Sequence, residues 1–297
     1  MRIGVDLGGT KIEAVALDDN GDELARHRVA TPAGDYPATM SAIAELVRLL
    51  ERETGRTGTV GIGMPGAVSP QTGLIKNANS TCLIGQRPAA DLQGLLGREI
   101  RLANDADCFA LSEATDGAAV GAHSVFGVIL GTGVGGGLVW QGQLLTGPNA
   151  IAGEWGHNPL PWPMADELPG PACYCGKHGC IEAFLSGPAV MTEYDRTSPH
   201  KVGSPSDIPD DAFWRRYEDR LARALAGVIN IFDPAVIVLG GGLSNIDRLY
   251  QNVPAILPEY VFGGETTTRL AKAAYGDSSG VRGAAWLWPS SREFQNS

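Results

Sequence analysis

Three of the chain's five cysteines fall within eight positions, in CYCGKHGC (173–180). The C-x-C-x4-C spacing of Cys173, Cys175 and Cys180 suits the thiolate ligands of a tetrahedral zinc site. Two histidines could supply a fourth ligand. His178 lies inside the cysteine run; His157, in GEWGH, would close a longer loop. Four protein ligands leave no position for water, so the metal this pattern predicts is structural. Glu154 lies three residues before His157 and Glu182 two after Cys180. Pinning both segments to one ion would gather these carboxylates into paired acceptors for a polyhydroxylated ligand. Cys82 and Cys108 stand apart and read as small buried apolar residues.

A second kind of chemistry is suggested by DLGGTK (6–11), LGTGVGGG (130–137) and LGGGLSN (239–245), each at the end of an apolar strand. Such turns present backbone N–H groups and threonine hydroxyls to phosphate oxygens with no Cβ in the way. None has the Gly-Lys-Ser/Thr ending of a P-loop. After the first, KIEAVALD continues as strand where a dinucleotide-binding fold would begin a helix. One such turn means only a tight turn. Three, with Asp6, Gly8, Gly9, Thr10 and Thr132 among them, point to a nucleoside triphosphate lying along a cleft, with Asp6 the candidate to hold Mg²⁺ through water. Asp105, in NDAD, follows an apolar strand where a helix should begin. Two roles are open to it: a helix N-cap, or the base that takes the proton of a hydroxyl attacking phosphorus.

The elements that must position these residues can be read from periodicity. The first thirty residues read as three strands with Gly-rich turns between them. DYPATMSAIAELVRLLERETG has helical spacing at Met40, Ile43, Leu46, Val47 and Leu50, with Gly55 as its C-terminal cap. GTVGIGMPG (58–66) and the start of REIRLANDADCFALSEATDG (98–117) read as strands, the second running into a helix near Asn104–Asp105. HSVFGVILGTGVGGGLVWQGQLLTG (123–147) then echoes the opening pattern, GTG standing where GGT stood. Residues 148–180 read as a long, Pro- and Trp-rich loop, functional or metal-stapled. DDAFWRRYEDRLARALAGVINIFDP (210–234) reads as an amphipathic helix with Phe213, Tyr217, Leu221, Leu225, Val228 and Phe232 on its apolar side. AVIVLGGG is a further buried strand, and GVRGAAWLW (280–288) a final helix. The expected architecture is two related α/β lobes facing across a cleft: residues 1–115 with 281–297, closed by the C-terminal helix, and the larger 116–280 with the zinc loop.

Composition excludes some partners. The chain has 297 residues, a net charge of −10 and no basic stretch, which argues against nucleic acid. No apolar run reaches membrane-spanning length. MRIGVDLGG leads straight into a strand with no leader-like segment, so a cytoplasmic location is expected.

The chain resembles the ROK family (repressors, open reading frames, kinases), whose kinases fold like actin and hexokinase. The resemblance runs nearly end to end, through DLGGTK, the MPG loop (64–66), NDA (104–106), GTGVGGG, GEWGH, CYCGKHGCIE, LGGG and SGVRGAAWL. Its specific part is C-x-C-G-x-x-G-C-x-E after G-E-x-G-H. It implies a two-lobed actin/hexokinase-like (ribonuclease H-like) α/β fold, a homodimer built on the larger lobe, and ATP-dependent phosphorylation of a hexose with Mg²⁺. By motif position it makes Asp105 the base. Asn79, Asn104, Asp105, Glu154, His157 and Glu182 become sugar contacts, and Thr10, Lys11, Thr132, Gly133 and Gly241 nucleotide contacts. It gives the structural Zn²⁺ to His157, Cys173, Cys175 and Cys180, choosing His157 over His178 and asking it to serve metal and sugar through its two ring nitrogens.

KNANSTCLIGQ, GEWGHNPLPW and GDSSGVRGAAWLW are most similar to bacterial fructokinases of the mannofructokinase type. The resemblance therefore implies phosphorylation of the 6-hydroxyl of fructose, with mannose a second acceptor. Many glucokinase-like relatives carry an aliphatic residue in place of Trp155. Cys82 departs from the pattern, since the closest fructokinases carry Trp there. A glucokinase or N-acetylhexosamine kinase of the same family is the alternative, differing in the hydroxyl pattern accepted. A sugar-responsive repressor would need a helix-turn-helix before DLGGTK, which starts at residue 6. A catalytically silent sugar sensor could dispense with the acid at 105, which is present.

Overall fold

A computed structural model describes residues 1–78 and 80–288. The chain opens with the antiparallel strands β1 (Arg2–Leu7), β2 (Lys11–Leu17) and β3 (Glu23–Ala30), then helix α1 (Tyr36–Thr54) and β4 (Thr59–Met64). The two-residue strands β5 (Ala67–Val68) and β6 (Ile75–Lys76) form a separate hairpin, followed by α2 (Pro88–Leu96), β7 (Ile100–Asn104) and α3 (Asp105–Thr115). The first sheet has the order β3-β2-β1-β4-β7, with β4 and β7 parallel to β1.

The second half repeats this plan. β8 (Ser124–Leu130), β9 (Val134–Trp140) and β10 (Gln143–Leu144) are antiparallel, then come α4 (Glu182–Leu185), α5 (Gly187–Thr197) and α6 (Asp211–Phe232). β11 (Val236–Gly240), α7 (Arg248–Ile256), β12 (Arg269–Lys272) and α8 (Ser279–Trp286) complete it. The sheet order is β10-β9-β8-β11-β12, with β11 and β12 parallel to β8. The echo in the sequence is therefore a repeat of a whole five-strand topology, of which only the hairpins are local enough to read.

Local signals set the element ends. Asp35 caps α1 by accepting from Ala38 N at 3.0 Å, and Gly55 ends it at φ 65°, a left-handed conformation that glycine adopts without strain. The expected stripe Met40, Ile43, Leu46, Val47 and Leu50 is buried in the core of the first sheet, each aliphatic side chain contributing about 1.5–3 kcal/mol by leaving water. In α6 Tyr217, Leu221 and Leu225 are buried as expected; Phe213 and Val228 pack half-buried on the same core, Phe232 is half-buried, and Trp214 and Ile229 are buried as well. Arg220 and Arg223 are buried beside them. Both reach Glu167 of the long loop, Arg220 Nε at 2.7 Å and Arg223 Nη1 at 2.9 Å. Burial pushes the Glu167 carboxyl up, but bonds from Arg223 and Arg220 overcome it and hold the group at about 2. The loop is thus anchored by buried ion pairs as well as by whatever its cysteines hold.

The two lobes meet through α3 and α8, packed on each other. α3 follows the first sheet in sequence yet lies against β8 and β9; α8 follows the second sheet and lies against β1 and β4. The helices approach so closely that a Cβ on Gly283 would fall 1.6 Å from the carbonyl oxygen of Cys108. Cys108 is fully buried there, as its isolated position suggested. The lobe boundary expected at 115/116 follows the end of α3 in sequence, but α3 packs mainly on the second sheet, so packing divides the sheets before Asp105. Of the expected closing segment, residues 289–297 lie outside the described residues. No helix among the described residues is long and apolar enough to cross a membrane.

Candidate active site

β1 and β7 are parallel strands of one sheet, and their C-terminal ends carry Asp6 and the start of α3. Asn104 is the N-cap of α3: its Oδ1 accepts from Ala106 N at 2.8 Å, and its Nδ2 donates to Gly66 O at 3.2 Å, tying the MPG loop to the helix. The capping role open to Asp105 is therefore filled by its neighbour. Asp105 is the first helical residue, its Oδ1 sharing the Ala106 N–H at 2.8 Å. The cleft walls crowd its carboxylate while the residue stays open to the cleft, and that crowding pushes its pKa up. Burial, with the charges of Asp105 and Glu13, pushes Asp6 up to about 6.

Asp107 is a site residue that the sequence did not single out. It lines a cavity of about 220 Å³ between the lobes, together with Gly66, Asn104, Gly136, Thr146 and Glu154. Its buried Oδ1 has no hydrogen-bond partner among the described residues, and burial with the charges of Asp105 and Glu154 pushes its carboxyl up to about 7. An acid in the first turn of a helix ordinarily means only a favourable dipole contact, which is why nothing in NDAD marked it. Across the mouth of the cleft, Lys76 Nζ donates to Asn149 O at 3.0 Å.

The glycines after Thr132 have a purpose that phosphate binding does not supply. Only residues 131–133 form the turn; Gly135, Gly136 and Gly137 lie within β9. A Cβ on Gly136 would come within 2.8 Å of Gly153 O and of the Trp155 ring, so GEWGH rests directly on the strand backbone. Glu154 then faces the interlobe cavity, while Trp155 is buried with its indole N–H donating to Gly135 O at 3.0 Å. Burial pushes Glu154 up; the His157 charge opposes this, and those of Asp105 and Glu182 add to it. Glu182 opens α4 and accepts from Val134 N at 2.9 Å. A Cβ on Gly133 would sit 2.7 Å from its carboxylate. The second glycine turn is thus buttressed by an expected sugar acceptor.

Ligand atoms of His157, Cys173, Cys175 and Cys180 all lie within 4.8 Å of one another. Cys173 Sγ is 3.6 Å from His157 Nδ1, and Cys175 Sγ is 3.6 Å from Cys180 Sγ. These are edge lengths expected of a tetrahedron with metal–ligand bonds of about 2.0–2.3 Å, so the four residues fit Zn²⁺. His178 is outside the set. It sits in a tight hairpin, bridged to Ala172, in which Cys173 N donates to Lys177 O at 2.8 Å. The second ring nitrogen of His157 is not free, because Nε2 lies 2.9 Å from Tyr174 Oη.

The first glycine turn is closed by Gly8 N donating to Lys11 O at 3.0 Å, with Thr31 Oγ1 donating to Gly8 O at 2.8 Å. Gly9 and Thr10 are exposed at its tip; the Lys11 ammonium lies 3.9 Å from Glu13. Thr132 is likewise exposed at the second turn, and Gly187 N donates to Gly131 O at 2.8 Å. Gly241 has φ 80°, and a Cβ there would strike Leu130 O at 2.5 Å, so the third turn requires glycine. Next to these turns a cavity of about 500 Å³ is lined by Thr132, Pro188, Ser204, Ser206, Gly242 and Asn245. It could take a nucleoside. Its serines come from a loop with no motif, which is why sequence reading did not find them. Of the remaining expected positions, Asn79 lies outside the described residues. Cys82 lines a crevice beside the first glycine turn, with Gly9, Thr31, Gly34 and Ser80.

The family model described as ROK family matches residues 2–291. The chain is 40% identical to the N-acetyl-D-glucosamine kinase of Yersinia enterocolitica, over 97% of this chain and 99% of that protein. It is 39% identical to the protein of the same name from Vibrio cholerae, over 97% and 99%. Among solved structures, a ROK hexokinase from Thermus thermophilus superposes with a TM-score of 0.85 at 31% identity, covering 100% of this chain and 99% of that one. A ROK family glucokinase from Streptomyces griseus, in complex with glucose and AMPPNP, gives 0.76 at 26% identity, over 96% and 98%.

Proposed function

The chain belongs to the ROK family, and from that premise we propose that it transfers the γ-phosphoryl group of ATP to the 6-hydroxyl of a hexose. The observation that carries this reading is Asp105: a carboxylate of raised proton affinity at the N-terminus of α3, open to a cleft whose rims carry glycine turns. A base so placed takes the proton of the hydroxyl as its oxygen attacks phosphorus and ADP leaves, a reaction that otherwise needs mainly positioning and charge neutralisation. Mg²⁺, when bound, would supply that neutralisation, with Asp6 the residue to hold it through water. Backbone N–H groups of the glycine turns would orient the phosphates, and the cavity beside Gly242 would take the nucleoside. Glu154, His157, Glu182 and Asn104 would hold the sugar. Zinc on His157, Cys173, Cys175 and Cys180 would order that clamp.

For the acceptor, N-acetyl-D-glucosamine leads, because the Yersinia and Vibrio relatives of that name match nearly the whole chain at 39–40% identity. This displaces the fructokinase expectation from first place. Fructose stays as a second reading on one specific observation, the resemblance of KNANSTCLIGQ and GEWGHNPLPW to fructokinases. Of the two residues singled out for sugar preference, Trp155 weighs less than expected because it is buried, while Cys82 lines a crevice beside the first glycine turn.

The test is ADP release with ATP and Mg²⁺ across N-acetylglucosamine, fructose, mannose, glucose and N-acetylmannosamine, ranked by kcat/KM. N-acetylglucosamine in front supports the first reading and fructose the second. Silence on all five from zinc-replete protein sinks the kinase reading and favours a sugar sensor.

A further inference from the structure

We propose that Tyr174 is a positioning residue for the acceptor sugar: its hydroxyl holds His157 Nε2 while the site is free and yields that nitrogen when a sugar hydroxyl arrives. The inference rests on the reading above that His157 contacts the sugar.

His157 Nδ1 faces the cysteine cluster, 3.6 Å from Cys173 Sγ, so Nε2 alone is left for other partners. Nε2 is 2.9 Å from Tyr174 Oη, and the two rings meet edge to face with centroids 5.1 Å apart at 88°. Tyr174 is 75% exposed, and among the described residues its hydroxyl makes no other hydrogen bond. Its backbone is held in the hairpin closed by Cys173 and Lys177, so the side chain can turn on a fixed base. A groove of about 640 Å³ beside it offers Leu168, Pro169, Pro171 and Phe184 as an apolar surface for the displaced ring.

An imidazole nitrogen has one hydrogen-bonding direction, in the plane of the ring. With Nδ1 given to a metal, Nε2 carries the proton and donates it to one oxygen at a time. Sugar and Tyr174 therefore compete for it, and measured sugar affinity includes the loss of the tyrosine bond. The net strength of a neutral hydrogen bond corresponds to about a two- to tenfold change in a binding constant. Leaving costs this exposed side chain only that bond and its edge contact with the His157 ring.

The experiment is calorimetry without nucleotide, with N-acetyl-D-glucosamine and D-fructose as probes, on wild type and Tyr174→Phe. The substitution keeps the ring contact and removes the hydroxyl at an exposed position. Expected are a Kd lowered about two- to tenfold, a KM that falls with it, a kcat that moves less than KM, and unchanged zinc content. An unchanged Kd overturns the proposal. So does a raised one, which would make the hydroxyl a direct sugar ligand, and so does lost zinc, which would make it a support for the metal-binding histidine. Wild type that binds neither sugar defeats the reading of the site itself, and this is seen before any variant is compared.

Discussion

Each end of α3 carries carboxylates, and the fold treats the two ends in opposite ways. Glu113, near the C-terminal end, has no solvent exposure and is surrounded by donors. It accepts from Ala118 N at 2.8 Å, Ala274 N at 3.0 Å and Ser279 Oγ at 2.6 Å. Those donors come from the passage between the lobes, the stretch after β12 and the start of α8. At the N-terminal end, Asp105 shares one N–H with Asn104, and the buried oxygen of Asp107 has no donor among the described residues. A buried carboxylate supplied with donors becomes a strut; one denied them holds its proton more tightly and is left for chemistry. Both the supply of donors and the depth of burial separate the ends: Glu113 is fully buried, Asp107 is half-buried and Asp105 stays open to the cleft.

The largest expected effect is at the starved end. Asp105→Asn should lower kcat by about 10²- to 10⁴-fold, the usual contribution of a positioned base. Sugar Kd should change by less than about threefold, and unfolding free energy by less than about 1 kcal/mol, as for a surface substitution. Single-turnover kinetics beside urea denaturation would show it; a large loss of stability with kcat preserved would reverse the roles assigned to the two ends. Glu113→Ala should do the opposite. It leaves three buried donors unmatched at about 1–3 kcal/mol each, so a loss of at least about 3 kcal/mol is expected in urea. Sugar KM should stay near wild type wherever the protein remains folded. A cost below about 1 kcal/mol would mean that Glu113 is no strut.

How much of this could be read from sequence depended on how local each feature is. The hairpins, the cap at Gly55, the stripe of α1 and the C-x-C-x4-C cluster depend on neighbours a few residues apart, and all were legible. The shared sheet order was legible only in its hairpins, because β4, β7, β11 and β12 pair with strands far away in the chain. The burial of Arg220 and Arg223 in α6 was not legible, because Glu167, which neutralises them, lies more than fifty residues before them. Glu113 reads as an ordinary polar residue on a helix until its donors arrive from Ala274 and Ser279. In GTGVGGG the motif was visible, but its cause was mixed: the turn faces the cleft, and the later glycines admit GEWGH onto β9. Tyr174 gave no signal, since one residue between two cysteines has no periodicity to betray it.

The smallest effect tests the comparison where it is sharpest, at Asp107. Burial and the charges of Asp105 and Glu154 raise its carboxyl from an ordinary 3.8 to about 7. Below about pH 4 the folded and unfolded chains both hold the proton, and the group adds no penalty. As pH rises from about 4 to 7, the unfolded chain releases its proton first, so folding stability declines; above 7 the deficit is constant. For a wholly buried group a shift of this size corresponds to about 4 kcal/mol. Asp107 also lines the interlobe cavity, where water can reach it, so about 1–2 kcal/mol is the expected scale. Asp107→Asn removes the ionisable group and should stabilise the protein by that amount at pH 8, with the gain fading to nothing near pH 4. Urea denaturation at four or five pH values measures it. A gain independent of pH would trace to packing, and a loss at pH 8 would show that the carboxylate has donors after all. Either result would erase the difference between the two ends of α3.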